Sequence, residues 1–243
     1  MKRLFYLILF FTSCKYDYAQ VVINETAQGT YTYSTSALGV VSSQTYTAGR
    51  FYLLIHMRVR AASTPTDFTV TGTSSTWTEI ANVTGVPTAN DFFRLKVFRY
   101  APASNVTESL SMSGGGLDEG SVVVLLEITG VPVTGTNGSN AIVQIVTGSA
   151  DASANPSITM AALSGAGNTV LAFFGNDVNP FGAAPETDWS ELSESGFNTP
   201  TTGGVFIKRD KTTDNTPSVT ASASNWIGVA IELRGGRRII NVN

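Results

Sequence analysis

Two dense apolar runs, one in each half of the chain, constrain the fold of this protein most strongly. The first is SVVVLLEITGV at 121–131, and the second is WIGVAIELRG at 226–235. Each carries a single acid near its end, Glu127 or Glu232, and a glycine follows soon after. Continuous Val- and Ile-rich runs of this kind are typical of strands buried on both faces. Two of them in one chain predict two versions of one folding unit.

The segments before each run recur in the same order. The first half has FYLLIHMRVR, then Trp-Thr-Glu-Ile, then a basic segment, then a Ser/Thr-rich segment, at 51–60, 77–80, 92–101 and 107–114. The second half has segments of the same kinds at 169–177, 189–192, 204–212 and 216–224. Short strands separated by regular turn signals are typical of a sandwich, and the repetition predicts a tandem duplication.

These patterns predict an all-β chain folded as a single antiparallel β-sandwich, jelly-roll-like, built from two tandem pseudo-repeats. The body spans 21–235, with half one at about 45–131 and half two at about 155–235. Each unit alone would leave an apolar face exposed, and two units laid face to face bury it. Only 14% of the residues are charged, which agrees with a composition of strands and turns. Further strands are predicted at 31–35, 68–72, 141–148 and 157–163.

Alternation within the segments predicts which side chains face the core. In the strand at 51–60, the second face becomes polar toward its end, and the strand at 92–101 is predicted to be half-exposed. The residues predicted to face inward are Phe51, Leu53, Ile55, Met57, Val59, Leu95, Val97, Leu110 and Met112.

Residues 1–20 have the layout of a secretory signal or a lipoprotein signal. Two basic residues, Lys2 and Arg3, precede the apolar run Leu4 to Phe11, and small residues follow. The run is shorter than the roughly 20 apolar residues that a transmembrane helix needs. The sequence therefore predicts an extracellular or outer cell envelope location.

Two cleavage sites are compatible with this signal. Thr12-Ser13-Cys14 resembles a bacterial lipobox, in which Cys14 would be the lipid anchor and the new N-terminus. The alternative is cleavage after Ala19, directly before Gln20. Cys14 is the only cysteine, so the sequence predicts a body without disulfides.

The overall charge argues against nucleic-acid binding. The chain has 15 basic and 18 acidic residues, a formal charge of −3. A weakly acidic body lacks the positive surface that neutralises phosphates. The expected partner is a cell-surface glycan or a protein.

At these residues the sequence also resembles a known family. Trp77-Thr78-Glu79, the basic strand at 94–100, the Ser/Thr strand and VVVLLEITGV resemble a recurrent bacterial and phage-associated β-sandwich family with internally duplicated halves. The resemblance covers about 30–235. Members usually carry Gly before the Trp-Thr pair and an aromatic-basic-Gly-Val ending, and both are replaced here. The family has no agreed catalytic site, so the resemblance implies only a secreted, surface or virion-associated module.

No residue pattern in the sequence predicts an enzyme or a cofactor. His56 is the only histidine, so any Ser-His-Asp triad must use it, yet it lies mid-strand where a structural role is expected. Glu79 and Glu191 could form the carboxylate pair of a glycan-active enzyme. They occupy equivalent positions in the two halves, however, and duplication explains their recurrence without catalysis.

Metal and ligand contacts have weaker sequence support. Asp177, Asp210 and Asp214 lie in predicted loops and could offer oxygen ligands to Ca²⁺, but they lack the spacing of a calcium loop. Trp77 and Trp189 could stack on a sugar, although their recurrence favours a packing role. Phe181 has no counterpart, so it is the preferred candidate for an exposed ligand contact.

The tail at 236–243 has two interpretations, a frayed end or a strand that pairs with a neighbouring chain. The sequence favours the frayed end. The predicted function is a secreted or lipid-anchored, non-catalytic surface module with a binding or structural role. The alternatives are a virion or filament protein that assembles through its terminal strands, and a glycan-active enzyme.

Overall fold

The computed structural model describes residues 15–18, 20–34, 40–60, 63–85, 92–113, 118–176, 184–198, 201–209 and 214–240. Within these residues the chain forms seventeen strands and one short 3-10 helix, Thr136–Ala141. In chain order the strands are β1 Lys15–Tyr18, β2 Val22–Ser34, β3 Val40–Tyr46, β4 Phe51–Arg60, β5 Thr69–Thr71, β6 Thr78–Thr84, β7 Phe92–Tyr100, β8 Val106–Ser113, β9 Asp118–Thr129, β10 Ile142–Ser153, β11 Thr169–Asn176, β12 Ala184–Pro185, β13 Trp189–Asn198, β14 Thr201–Arg209, β15 Val219–Thr220, β16 Ser224–Leu233 and β17 Arg237–Ile240.

Two five-stranded antiparallel sheets form the sandwich. The first sheet has the order β2-β9-β4-β7-β6, and the second has β10-β16-β11-β14-β13. The two orders correspond strand by strand, with the apolar runs β9 and β16 in the second position of each. The all-β antiparallel sandwich predicted from the sequence is confirmed. The outer strands β2 and β10 belong to these sheets, although the predicted halves began only at 45 and 155.

The main core lies between the two sheets. It is built from the inward faces of β4, β7 and β9 on one side and of β11 and β16 on the other. Every residue of 51–60 that was predicted to face inward lies in this core, as do Leu95 and Val97. Its fully buried members include Phe51, Leu53, Met57, Val59, Leu95, Val97, Val124, Ile128, Leu171, Ile227, Val229, Ile231 and Leu233.

Smaller sheets cover the outer faces of the sandwich. The three-stranded sheet β3-β8-β5 packs over the outer face of the first large sheet, and a second core lies between them. Leu110 and Met112 of β8 point into this second core, so they face inward as predicted. The prediction that β7 is half-exposed is wrong. Its outward side chains Lys96 and Phe98 are buried because the small sheet covers them.

The outer face of the second sheet is covered differently. Residues 157–163 were predicted to be a strand, but they form only a single bridge between Ser157 and Ser218. Ile158 and Met160 are nevertheless buried against this face. The alternation therefore marks one-sided burial correctly. The amides of Ile158 and Met160 donate to the carbonyls of Pro217 and Asn215, but Pro156 and Pro217 lack the amide hydrogens that a continuous ladder needs.

A turn of the same kind precedes β4 and β11. The amide of Arg50 donates to the carbonyl of Thr47, and the amide of Asn168 donates to that of Gly165. Gly49, at φ 78°, has the left-handed conformation that side-chain-bearing residues avoid. These turns place Arg50 and Asn168 directly before the central strands of the two sheets.

The link between the two sheets is fixed by one asparagine. The Oδ1 of Asn137 accepts from the amide of Ala101 at 2.8 Å. Its Nδ2 lies 2.9–3.0 Å from the carbonyls of Thr76 and Arg99 and from the hydroxyl of Thr78. Asn137 itself has a φ of 51°. One side chain thus binds the connector between β9 and β10 to the start of β6 and the end of β7 in the first sheet.

The two ends of the described chain pair with each other. β1 and β17 form a two-stranded antiparallel ribbon in which Lys15 lies opposite Ile240 and Tyr18 lies opposite Arg237. The amide of Gly236 donates to the carbonyl of Gly130 at 2.7 Å, which holds the ribbon against the sandwich. The expectation of a frayed tail is therefore wrong for residues 237–240. Their partner is the N-terminal segment of the same chain, which local sequence patterns do not reveal.

Candidate functional site

Glu127 and Glu232 occupy corresponding places on the outer faces of β9 and β16. Glu127 accepts from Arg50 NH1 at 2.9 Å and from the Tyr52 hydroxyl at 2.8 Å. Glu232 is fully buried and accepts from Asn168 Nδ2 at 2.5 Å. Arg50 and Asn168 come from the matching turns, so each acid fastens the start of the next central strand. These two acids have a structural role.

The carboxylate of Glu232 is surrounded by donors. Gln144 Nε2 lies at 2.6 Å and the amide of Ser164 at 2.9 Å, in addition to Asn168. Burial raises the pKa of Glu232, but the hydrogen bonds from Asn168, Gln144 and Ser164 outweigh it, so the pKa lies below its ordinary value. The group is therefore a charged and fully satisfied core residue.

A second group of charged residues lies under the small sheet β3-β8-β5. We call His56, Arg58, Arg94 and Lys96 the basic cluster. In the ladder between β4 and β7, His56 lies opposite Lys96 and Arg58 lies opposite Arg94. His56 and Arg58 are fully buried and Lys96 is 1% exposed. Burying several cations side by side is costly unless each of them is paired.

Three carbonyls of the loop at 65–68 accept hydrogen bonds from these cations. Arg94 Nε donates to the carbonyl of Pro65, Arg58 NH1 to that of Thr66 and Lys96 Nζ to that of Phe68, each at 2.8 Å. The loop thus covers the basic cluster. Its conformation depends on the three cations beneath it.

Two phenylalanine rings complete the surroundings of the cluster. The Phe68 ring centroid lies 5.2 Å from both Arg58 Cζ and Lys96 Nζ, and the Phe98 centroid lies 5.7 Å from Lys96 Nζ. The His56 ring packs on Phe68 at 4.5 Å between centroids. Burial first, and then the Arg58 charge, lowers the pKa of His56 from 6.5 to about 3. His56 is consequently neutral at physiological pH.

Two carboxylates reach the buried amine from the surface. Lys96 Nζ lies 2.5 Å from Asp67 Oδ1 and 2.5 Å from Glu79 Oε2. The Lys96 side chain is 2% exposed, whereas those of Asp67 and Glu79 are 65% and 41% exposed. The hydrogen bond from Lys96 lowers the pKa of Asp67. A primary amine thus lies between two acids at the boundary of the core.

The basic cluster has no counterpart in the second sheet. Because Tyr52 lies opposite Glu127 and Val170 lies opposite Glu232, β4 and β11 can be aligned residue by residue. His56 then corresponds to Phe174 and Arg58 to Asn176, and Lys96 corresponds to Val205, which lies opposite Phe174. The matching strand orders of the two sheets do not account for the basic cluster. The cluster is therefore the best candidate for a functional site in the described chain.

Replacing His56 with Phe should raise the free energy of unfolding by about 1 kcal/mol, because neither imidazole nitrogen has a hydrogen-bond partner among the described residues. Below pH 6.5 the unfolded wild-type chain binds a proton at His56, whereas the folded chain leaves His56 neutral, so the wild type loses stability as the pH falls. The variant lacks this loss and should depend less steeply on pH. Urea denaturation at several pH values measures both effects. The reverse substitution Phe174→His is the control and should destabilise the protein. A less stable His56→Phe protein would contradict the prediction.

Trp77 and Trp189 pack against the outer faces of the two large sheets, and Asp214 accepts hydrogen bonds. Trp189 is buried in the outer core of the second sheet, and its Nε1 donates to Asp214 Oδ2 at 2.5 Å. Trp77 is partly buried, packs against Tyr46 and Tyr100, and donates to Ser75 Oγ. Asp214 is thus bound to Trp189 and to the amide of Thr216. The predicted candidates Cys14, Asp177, Phe181 and Asp210 lie outside the described residues.

Glu79 and Glu191 are not brought together. Glu79 lies on β6, which packs against β10 and β16, and Glu191 lies on β13, which packs against β2 and β9. These are opposite edges of the sandwich, separated by about four strand spacings, or roughly 19 Å. Glycosidase carboxylates lie at most about 9.5 Å apart. The two acids cannot act on one glycosidic bond.

Neither metal ligation nor a membrane helix is seen in the part of the chain that the structure describes. No three of its His, Cys, Asp or Glu side chains are grouped to hold a metal ion. None of its helices is long and apolar enough to cross a membrane.

Sequence reasoning identified Glu127, Glu232, Trp77 and Trp189 but missed Lys96 and Asp67 as a pair. The alternation of basic and apolar residues in β7 predicts a solvent-facing basic side. Comparisons with protein-family models, with curated proteins and with solved structures find no match to this chain.

Proposed function

We propose that the protein is a non-catalytic β-sandwich module of the outer cell envelope, exported by a signal that ends before Cys14 and anchored by a lipid at Cys14. It would serve there as a binding or structural component, with a cell-surface glycan or a protein as its partner. The lipid anchor, rather than cleavage after Ala19, is the form of the signal that the fold favours.

The pairing of β1 with β17 carries this proposal. Residues 15–18 lie opposite 237–240 in a four-residue ladder. Cleavage before Cys14 would keep this strand, whereas cleavage after Ala19 would remove it and leave β17 without its partner. Unpaired strand groups near the surface favour association with other chains. Retention of β1 therefore supports Cys14 as the first residue of the mature protein.

The roles of the acidic residues support a non-catalytic module. Glu127 and Glu232 bind the turns before β4 and β11, and Glu108 binds the loop at 73–75. His56, on which any histidine-dependent hydrolase would have to rely, is buried and neutral. A general base needs access to its substrate, and the fully buried His56 and Glu232 do not offer it.

An internal duplication is part of the proposal. The strand orders of the two sheets correspond, and Glu127 and Glu232 receive hydrogen bonds from matching turn residues. Gly130 and Gly235 also correspond. A Cβ on either would overlap a backbone carbonyl, that of Gln20 or that of Gly167. Such agreement in detail supports descent of the two sheets from one repeated unit.

The state of the mature N-terminus tests the anchor. In bacterial cells that process lipoproteins, we expect the wild-type protein to incorporate labelled fatty acid and to fractionate with membranes. Cys14→Ser should abolish the label. A mature protein that begins at Gln20, found by mass spectrometry, would contradict the proposed anchor.

A second candidate is a virion or filament protein that assembles through its terminal strands. The ribbon of β1 and β17 is separate from both large sheets, so its edges are not paired within the described chain. Such edges can accept a strand from a neighbour. Sedimentation of the purified protein separates the candidates, because only assembly produces species larger than the monomer that disappear when 236–243 is deleted.

A further inference from the structure

We propose that Lys96 and Asp67 join through an intramolecular amide bond, with Glu79 relaying the proton. The proposal rests on the contact of one amine with two carboxylates at the edge of the second core. It assigns a modification site to the basic cluster, and it does not depend on where the protein resides.

The amine is held in place before any reaction. Lys96 Nζ is fixed by the carbonyl of Phe68 at 2.8 Å and lies over the rings of Phe68 and Phe98. Asp67 is kept beside the amine by the hydrogen bonds that its Oδ1 accepts from the amide of Phe68 and from Arg94. Well-oriented intramolecular reactants reach effective concentrations of about 10⁵ M or more, which lowers the barrier to attack.

The reaction is a dehydration and needs no oxidant or other reactant. Glu79 Oε2, which touches Nζ, removes a proton from the ammonium group and passes it to Asp67 Oδ2, and the nitrogen lone pair then attacks Cγ of the neutral carboxylic acid. The bond between Cγ and Oδ2 breaks, and its electron pair leaves with Oδ2. That oxygen takes up a second proton from Nζ, relayed by Glu79, and departs as water. One proton stays on the amide nitrogen.

The surroundings of Asp67 suit the charge that develops during this attack. The backbone amide of Phe68 donates to Oδ1 at 3.0 Å, and Arg94 NH1 lies 3.4 Å from the same atom. Fixed donors aimed at a developing oxyanion stabilise the transition state of acyl transfer. Two donors thus converge on the oxygen that remains in the product.

The same geometry explains why Asp67, and not Glu79, is the acyl partner. Glu79 belongs to the edge strand β6, and Lys96 is its one hydrogen-bond donor in the described chain. No backbone amide is directed at its carboxylate there. Glu79 is therefore placed to move protons, and Asp67 to accept the nitrogen.

The bond would explain why the first sheet keeps the buried amine of Lys96 where the second sheet has Val205. It would connect β7 of the large sheet to the loop before β5, and so fasten the small sheet to the sandwich. Replacing a buried ion pair with apolar residues often costs no stability. The retention of these buried charges therefore requires another explanation.

The intact mass of the full-length protein under denaturing conditions tests the proposal. We expect a mass lower by one water molecule than the sequence of the mature chain predicts, and a proteolytic fragment in which Lys96 is linked to Asp67. An unmodified mass, or a link from Lys96 to Glu79, would overturn the proposal.

Three variants identify the groups. Lys96→Arg keeps the charge but should abolish the water loss. Asp67→Asn should form the same amide by releasing ammonia, and its final mass should equal that of the linked wild type. Glu79→Gln should slow linkage at least tenfold when the denatured, unlinked chain is refolded and its mass is followed over time. Asp67 and Glu79 are both exposed, so these two variants should fold even if Lys96→Arg does not. Water loss that persists in Lys96→Arg, or linkage of Glu79→Gln at the wild-type rate, would overturn the assignment.

Discussion

Replacing Asn137 with Ala should lower the free energy of unfolding by about 3 kcal/mol, although the residue lies in a surface connector. Its side chain makes hydrogen bonds to Ala101, Arg99, Thr76 and Thr78, and the two backbone carbonyls would lose their donor. Alanine would also be strained at a φ of 51°. Urea denaturation followed by tryptophan fluorescence measures the loss.

Two other substitutions separate the contributions. Asn137→Gly keeps the left-handed backbone but loses the hydrogen bonds, so it should recover only the part that is due to strain. Asn140→Ala in the same connector removes one exposed hydrogen bond to Thr134 and should change the free energy of unfolding by less than about 0.5 kcal/mol. If Asn137→Ala were as mild as Asn140→Ala, the connector would not fix the corner of the first sheet.

The substitution Glu232→Gln should cost about 2–3 kcal/mol at neutral pH, because it places an amide group among donors that need an acceptor. The loss should shrink in acid. The folded pKa of Glu232 lies below the ordinary value of 4.5, so its charge stabilises the fold above that pH. This contribution disappears as the pH falls through the folded pKa. Unfolding curves recorded between neutral and acidic pH should therefore converge for the two proteins.

Glu127→Gln is the matched control for this prediction. Glu127 occupies the corresponding place in the first sheet, but its side chain is 18% exposed and its cationic partner Arg50 is 41% exposed. Water can replace the lost contacts there, so the loss should be smaller. Equal losses in both variants would mean that burial does not set the importance of these acids.

The sandwich could be predicted from the sequence because its central strands carry a strong local signal. Runs such as 121–131 need no knowledge of partners to be identified as buried strands. The matching turns could also have been found, since Ala48-Gly49 and Ala166-Gly167 occupy the same place before β4 and β11. That pair supports the correspondence of Arg50 with Asn168, which spacing alone did not reveal.

The basic cluster could not be predicted, because its burial depends on a third layer. A strand that alternates apolar and basic residues ordinarily has one solvent-facing side. Here that side is covered by the short strands β3, β5 and β8, whose sequences are largely polar. The pairing of Lys96 with Asp67 and Glu79 arises only when this layer is in place. Likewise, nothing local in 237–240 indicates that residues 15–18 are its partner.

The terminal ribbon has a mechanical consequence. Lys15 and Ile240 are neighbours at its open end, so a pull applied between them opens the ladder one pair at a time, from Lys15 toward Tyr18. Each step breaks at most two hydrogen bonds, with a net cost of about 1 kcal/mol apiece. Only after the ribbon has opened does tension reach β2 in one sheet and β16 in the other. The ribbon would therefore open first and lengthen the protein under load, before the sandwich itself is strained.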